Sequence, residues 1–170
     1  KQRIGRFAAT IIPQNSCIYL DAGTTSLALA RFLLNRDDIT IVTNDFGVLN
    51  FLSDHGLSNI IHTGGQLRVK NMSAVGILAA QTIESLNFDI AFLSASSWDE
   101  RGITTPDVEK VIVKKAAVSS SRRKILIADS SKYAQIATYV AVKLEALDMV
   151  ICDDALAESA KEISKRGHKL

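Results

Sequence analysis

Only two of the 170 residues are cysteine. Cys17 and Cys152 each sit inside an apolar run, with no Cys-x-x-Cys pair and no histidine cluster nearby. This argues against a disulfide framework and a zinc site, and it suits a reducing cytoplasm. There is no excess of charge of one sign either. Twenty Lys and Arg against 18 Asp and Glu give a net charge of +2, which is not the electrostatic footprint of a DNA-binding domain. No apolar stretch approaches the length of a membrane span, and the N-terminus lacks the charged, apolar and cleavage regions of a signal peptide. Linker composition, low-complexity segments and internal repeats are also missing. Residues 1–170 therefore read as a single domain, with 47% hydrophobic residues available for its core. The chain begins at Lys1 rather than Met, so it is expected to be a piece of something longer.

What is present is alternation. Apolar runs of strand length at Cys17–Leu20, Thr40–Val42, Asn59–His62, Ile90–Leu93, Ile125–Ala128 and Met149–Cys152 are separated by helical patterns. These helices are read over Thr25–Leu34, Phe46–Ser53, Ala74–Ser85, Val108–Ser120 and Ala155–Arg166, after an amphipathic N-terminal helix over Arg3–Ile12 that Pro13 ends. Such repeated βα units predict an α/β, Rossmann-like, mostly parallel sheet with helices on both faces. Two stretches break the rhythm. Ser94–Asp107 reads as a long polar loop containing Trp98, and Thr138–Val142 as a short β-branched strand on one edge. The run Ser119–Lys124 reads as a solvated basic helix end.

The first strand breaks at a glycine and opens a helix, in Asp21-Ala22-Gly23-Thr24-Thr25. There, backbone N–H groups of a first helical turn meet the positive end of the helix dipole, an arrangement that holds phosphate. In an open parallel sheet, ligands lie beyond the carboxyl ends of the strands. The later strands are followed by Thr43-Asn44-Asp45, by Thr63-Gly64-Gly65-Gln66-Leu67-Arg68, by Ser94-Ala95-Ser96-Ser97, and by Asp129-Ser130-Ser131-Lys132. Together these loops describe a polar crevice. The threonine hydroxyls, backbone N–H groups and Lys132 would bind phosphate, while Asp21, Asn44 and Asp129 would meet sugar hydroxyls. Lys114 joins the set if its helix points back over the crevice.

The ordered series Asp21-x-Gly23-Thr24-Thr25, Thr43-Asn44, Gly64-Gly65-x-Leu67-Arg68, Gly76, Phe92, Gly102, Glu109, Lys114 and Asp129-x-Ser131-Lys132 resembles the effector domain of DeoR-type transcriptional repressors, from about Arg3 to Asp153. The resemblance implies a sensor similar to ribose-5-phosphate isomerases that binds a phosphorylated sugar or sugar alcohol. It also implies a homo-oligomer, and contact with operator DNA only through an N-terminal winged helix-turn-helix that this chain does not contain. It implies no cofactor. The ligand-binding set it implies comprises Asp21, Gly23, Thr24, Thr25, Thr43, Asn44, Gly64, Gly65, Arg68, Ser94, Ser96, Glu109, Lys114, Asp129 and Lys132. Family members carry glycines after the fourth strand, where this chain has Ser94 and Ser97.

Two other readings compete. A sugar-phosphate isomerase needs a carboxylate base near the substrate carbon. In the isomerases that this family resembles, an acidic run follows the fourth strand, where this chain has Ser94-Ala95-Ser96-Ser97. That replacement favours a binder over an enzyme. A ligand-free oligomerisation module would instead fill the crevice with its own side chains.

Overall fold

The computed structural model describes residues 1–156. Five helices lie at α1 (Gln2–Thr10), α2 (Thr24–Ala30), α3 (Phe46–Asp54), α4 (Ile77–Glu84) and α5 (Val108–Ser119). The strands are β1 (Cys17–Leu20), β2 (Thr40–Thr43), β3 (Ile60–His62), β4 (Gln66–Arg68), β5 (Ser73–Val75), β6 (Phe88–Leu93), β7 (Ser97–Asp99), β8 (Gly102–Thr105), β9 (Ser121–Ile127), β10 (Tyr139–Lys143) and β11 (Met149–Ile151). Six of them form one sheet in the order β11-β9-β6-β1-β2-β3, and every pairing in it is parallel.

Strand side chains alternate between faces, and both faces of this sheet are covered. Ile18, Leu20, Ile41, Ile90, Phe92, Ile125 and Ile127 pack with Ile4, Ala8, Leu29, Leu33, Val48 and Leu52 of the α1–α3 side. Tyr19, Val42, Ala91, Leu93 and Leu126 face the other way, onto Ala79, Ile83, Val113, Ala116 and Ala117 of α4 and α5. Being buried on both sides is what makes these strands read as continuous apolar runs.

The structure departs from the sequence reading in four places. The segment Ser94–Asp107 is not a loop: it contains the antiparallel pair β7–β8, to which β10 adds as the third strand of a separate sheet. Its polar residues satisfy one another inside the protein, since Ser97 and Thr104 are directly paired and their hydroxyls are 2.8 Å apart. Trp98 is fully buried and its ring stands edge-on to Tyr133 at 4.9 Å, so it is part of the core.

The helix read over Ala74–Ser85 loses its first residues to β5. Asn44 holds Ala74 there, its side-chain amide N–H donating to Ala74 O at 2.9 Å while its backbone carbonyl accepts from Ala74 N–H at 2.8 Å. The basic run before Ile125 is the start of β9, in register with β6 at Ile90–Arg123 and Ala91–Lys124. Helix α2 stops at Ala30, and the chain continues in tighter turns through Phe32, Leu33 and Arg36. The expected helix Ala155–Arg166 lies outside the described residues, except that Ala155 and Leu156 belong to a 3-10 turn.

Helix α1 lies directly on α2. Gly5 is buried, and a Cβ at that position would stand 2.7 Å from Ala28 C and Leu29 N. In an open helix, Gly→Ala gains up to about 1 kcal/mol. Here the sign reverses: Gly5→Ala is expected to lower the unfolding free energy by about 1–3 kcal/mol through overpacking, measured by denaturant titration.

The thiols are also shaped by burial. Desolvation, reinforced by Asp153, raises Cys152 to about 11, and desolvation with the Asp89 charge raises Cys17. A thiol of that value is about 0.1% thiolate at pH 8, so Cys152 is expected to label slowly with iodoacetamide. Its rate should rise about tenfold per pH unit until the thiol titrates.

Candidate functional site

The chain runs from β1 outward through β2 to β3, then returns to place β6 on the other side of β1. The switch point between β1 and β6 is where an open α/β sheet leaves a crevice at its carboxyl edge. Asp21 and Ser94 are the residues that leave these two strands.

Asp21 is 3% exposed and Lys114 of α5 is 6% exposed. The Lys114 ammonium contacts Asp21 Oδ2 and donates to Ser94 O at 2.6 Å. Asp21 Oδ2 also accepts from Ser94 N–H at 3.0 Å and from the Ser94 hydroxyl at 3.2 Å. This buried ion pair joins β1, β6 and α5, and each partner carries the further hydrogen bonds that burial of a charge requires. Lys114 thus does reach the crevice, and it does so as the partner of Asp21.

Gly23 sits against Ser94, and a Cβ on it would lie 2.9 Å from the Ser94 Cβ. Its N–H is already taken, donating to Asp45 Oδ2 at 2.8 Å. The other oxygen of Asp45 caps α3 by accepting from Gly47 N–H at 2.6 Å and Val48 N–H at 3.1 Å. Burial pushes the Asp45 carboxyl up, against these three amides, which pull it down. No side chain caps α2. Its hydrogen-bond ladder begins with Leu27 N–H on Gly23 O at 3.0 Å, so the preceding amides of Thr24, Thr25 and Ser26 lie ahead of it at the helix N-terminus.

Around this turn opens a crevice of about 560 Å³, within the size range of small-molecule sites. Of the expected residues, Asp21, Gly23, Thr24, Thr25, Asn44, Arg68, Ser94, Ser96, Lys114, Asp129 and Lys132 line it. Four stand elsewhere. Thr43 is buried, its hydroxyl donating to Leu20 O at 2.7 Å and accepting from Asp45 N–H at 3.1 Å. Gly64 and Gly65 form the turn between β3 and β4, where a Cβ on Gly65 would lie 2.9 Å from that of Ala79. The carboxylate of Glu109 lies over Gly76, 2.8 Å from where a Cβ would stand.

The crevice also has residues that were not singled out as its lining. Lys70, Asn71 and Ser73 enter on the β4–β5 hairpin, and Thr105, Pro106, Asp107 and Lys110 at the start of α5. Lys110 had a signal in the sequence, because it stands four residues before Lys114 on the same helical face. The hairpin residues had none, since their segment read as a turn leading into a helix. Arg68 bridges hairpin and helix through Asp107, with Nε to Oδ2 at 2.8 Å, and this contact holds the Asp107 carboxyl below its ordinary value. Asp107 also caps α5 through Glu109 N–H at 3.0 Å. Asp129 receives Ser131 N–H at 3.2 Å and the Lys1 ammonium at 3.4 Å. Asn44 is 3% exposed, and its Oδ1 has no partner. Among the described residues, no group of three or more His, Cys, Asp or Glu side chains is placed to hold a metal ion.

A doubly covered parallel sheet with a polar, cation-bearing crevice at its switch point defines an α/β domain with a candidate small-molecule site. Residues 1–154 match the DeoR C terminal sensor domain, and the chain belongs to that family. It is 49% identical over 160 residues to the HTH-type transcriptional regulator YgbI of Escherichia coli K12, covering 94% of this chain and 63% of that protein. It is 33% identical over 154 residues to the glycerol-3-phosphate regulon repressor of the same organism, covering 90% of this chain and 61% of the repressor. The chain thus spans just over three-fifths of the length of these relatives. In fold it is similar to ribose 5-phosphate isomerase A from Methanocaldococcus jannaschii, with a TM-score of 0.56 and 13% identity over 78% of this chain and 53% of the isomerase.

Removing one partner of a buried ion pair strands the other charge. Lys114→Met is therefore expected to cost about 3–5 kcal/mol of stability, read by denaturant unfolding. Lys132→Gln, at a partly exposed position, is expected to stay within about 0.5 kcal/mol of the parent.

Proposed function

We propose that this domain binds a phosphorylated sugar or sugar alcohol in the switch-point crevice and reports its presence to a DNA-binding segment of a longer repressor. The observation that supports this best is the pairing of the uncapped α2 N-terminus with Lys132 and the other lysines of one concave site. Phosphate would lie on the amides of Thr24 and Thr25 and on Lys132, by hydrogen bonding and charge together. Asn44 Oδ1 would accept from a sugar hydroxyl. The domain would act as a single effector-binding unit, in the cytoplasm and as a homo-oligomer, with operator DNA held elsewhere in the full protein.

A sensing role accords with how the carboxylates are used. Asp21 is committed to Lys114 and Ser94, Asp107 to Arg68, and Asp129 to Ser131 and Lys1. A general base must be free to take a proton from substrate, and each of these carboxylates already has cationic and hydrogen-bonded partners. A signal also has a short route outward. The N-terminus of α2 lines the crevice, and α1 rests on the backbone of α2 at Gly5, so a ligand that binds one position of α2 better would shift α1 as well.

A thermal-shift panel of sugar phosphates and the matching free sugars tests the reading, with an isomerase assay on each hit. At about one hundred times its dissociation constant, a ligand should stabilise the domain by about 2.7 kcal/mol, and the free sugar should not. Turnover of a hit would make the domain an enzyme, and a flat panel would leave the crevice without this role.

A further inference from the structure

We propose that the crevice is built for a sugar acid phosphate, a polyhydroxy ligand with a carboxylate at one end and a phosphate at the other. This rests on the sugar-phosphate reading above and makes it more specific. The argument is one of charge balance. Lys114 is matched by Asp21, Arg68 by Asp107 at 2.8 Å, and Lys1 by Asp129 at 3.4 Å. Lys70, Lys110 and Lys132 also line the crevice, and among the described residues no carboxylate forms an ion pair with any of them. A phosphate monoester carries about −1.5 to −2 at pH 7, which leaves about one of these three cations unmatched. A carboxylate on the same ligand supplies the missing charge.

Lys132 and Lys70 stand on opposite sides of the switch point. Lys132 follows β9, on the β6 side of β1. Lys70 is carried by the β4–β5 hairpin, which is tied to the end of β2 where Asn44 holds Ala74 and Phe46 N–H meets Met72 O at 3.0 Å. Lys110 joins it from α5, beside the Arg68–Asp107 bridge. Phosphate falls to Lys132, and carboxylate to Lys70 and Lys110. Asn44, which also lines the crevice, has given its side-chain amide to Ala74 O, and its buried Oδ1 has no protein partner. That atom accepts, so the ligand group that meets it must donate, as a hydroxyl does. Burial and the nearby Lys114 charge hold the Lys110 ammonium below its ordinary value, against the pull of Asp107 and Asp21.

Titration calorimetry with aldonic acid phosphates and alditol phosphates of matched chain length tests this on the protein and on Lys110→Gln and Lys132→Gln. At one chain length, the acid is expected to bind about tenfold more tightly than its alditol, a difference of about 1.4 kcal/mol. In Lys110→Gln the preference should shrink to about threefold or less, the acid losing more affinity than the alditol phosphate, and Lys132→Gln should weaken both ligands alike. Thermal melts of the unliganded variants check that they fold as the parent does. Alditol phosphates binding as tightly as the acids at every length, or a preference untouched by Lys110→Gln, overturns the proposal and leaves the sugar-phosphate reading standing. Binding of neither class removes both.

Discussion

The ion pair between Asp21 and Lys114 is the constraint on which the rest of this site depends. Two charges almost removed from water must be held by geometry, and the geometry comes from three separate elements. Asp21 leaves β1, Ser94 leaves β6, and Lys114 comes down from α5 to both. Because the pair sits at the switch point, it fixes the floor of the crevice. The absence of a side chain on Gly23 then lets the next turn close down on Ser94. Asp45 secures that turn from the other side through the Gly23 N–H and caps α3 with its second oxygen. The cradle is thus held by carboxylates that face inward, and the groups left over for a ligand are amides, hydroxyls and cations.

Much of the main sheet was legible in the sequence, because its strands are buried on both faces and announce themselves as apolar runs. Of the three-stranded sheet, β10 was legible as the short edge strand Thr138–Val142, but β7 and β8 were not, for the opposite reason. Ser97, Thr104 and Thr105 are polar and also buried, and only the cross-strand pairing of the hydroxyls of Ser97 and Thr104 reveals why that is tolerated. The hairpin β4–β5 was missed because the force that makes Ala74 a strand residue is long-range, a pair of hydrogen bonds to Asn44 thirty residues earlier in the chain. Local propensity does not report such a bond.

The expected site follows the same division. Residues directly after a strand of the main sheet could be named from position alone, and Asp21, Thr24, Thr25, Asn44, Ser94 and Lys132 all border the crevice. Lys70 and Asp107 could not, since they arrive on the hairpin and the α5 cap. Thr43 shows a further limit. Its threonine hydroxyl is of the right kind and at the right strand end, yet it is spent on Leu20 O, so residue type and strand end alone do not distinguish a lining group from a brace beneath it.

The Arg68–Asp107 bridge has a consequence for how such a pocket changes over evolutionary time. It fastens the hairpin to the start of α5 by surface side chains, outside the buried frame of Asp21, Lys114 and Asp45. Substitutions on that wall can alter the size and charge of what is admitted while the frame that folds the domain stays intact. If the crevice binds the ligand proposed for it, a scaffold divided in this way would let a lineage exchange one ligand for another without passing through unfolded intermediates.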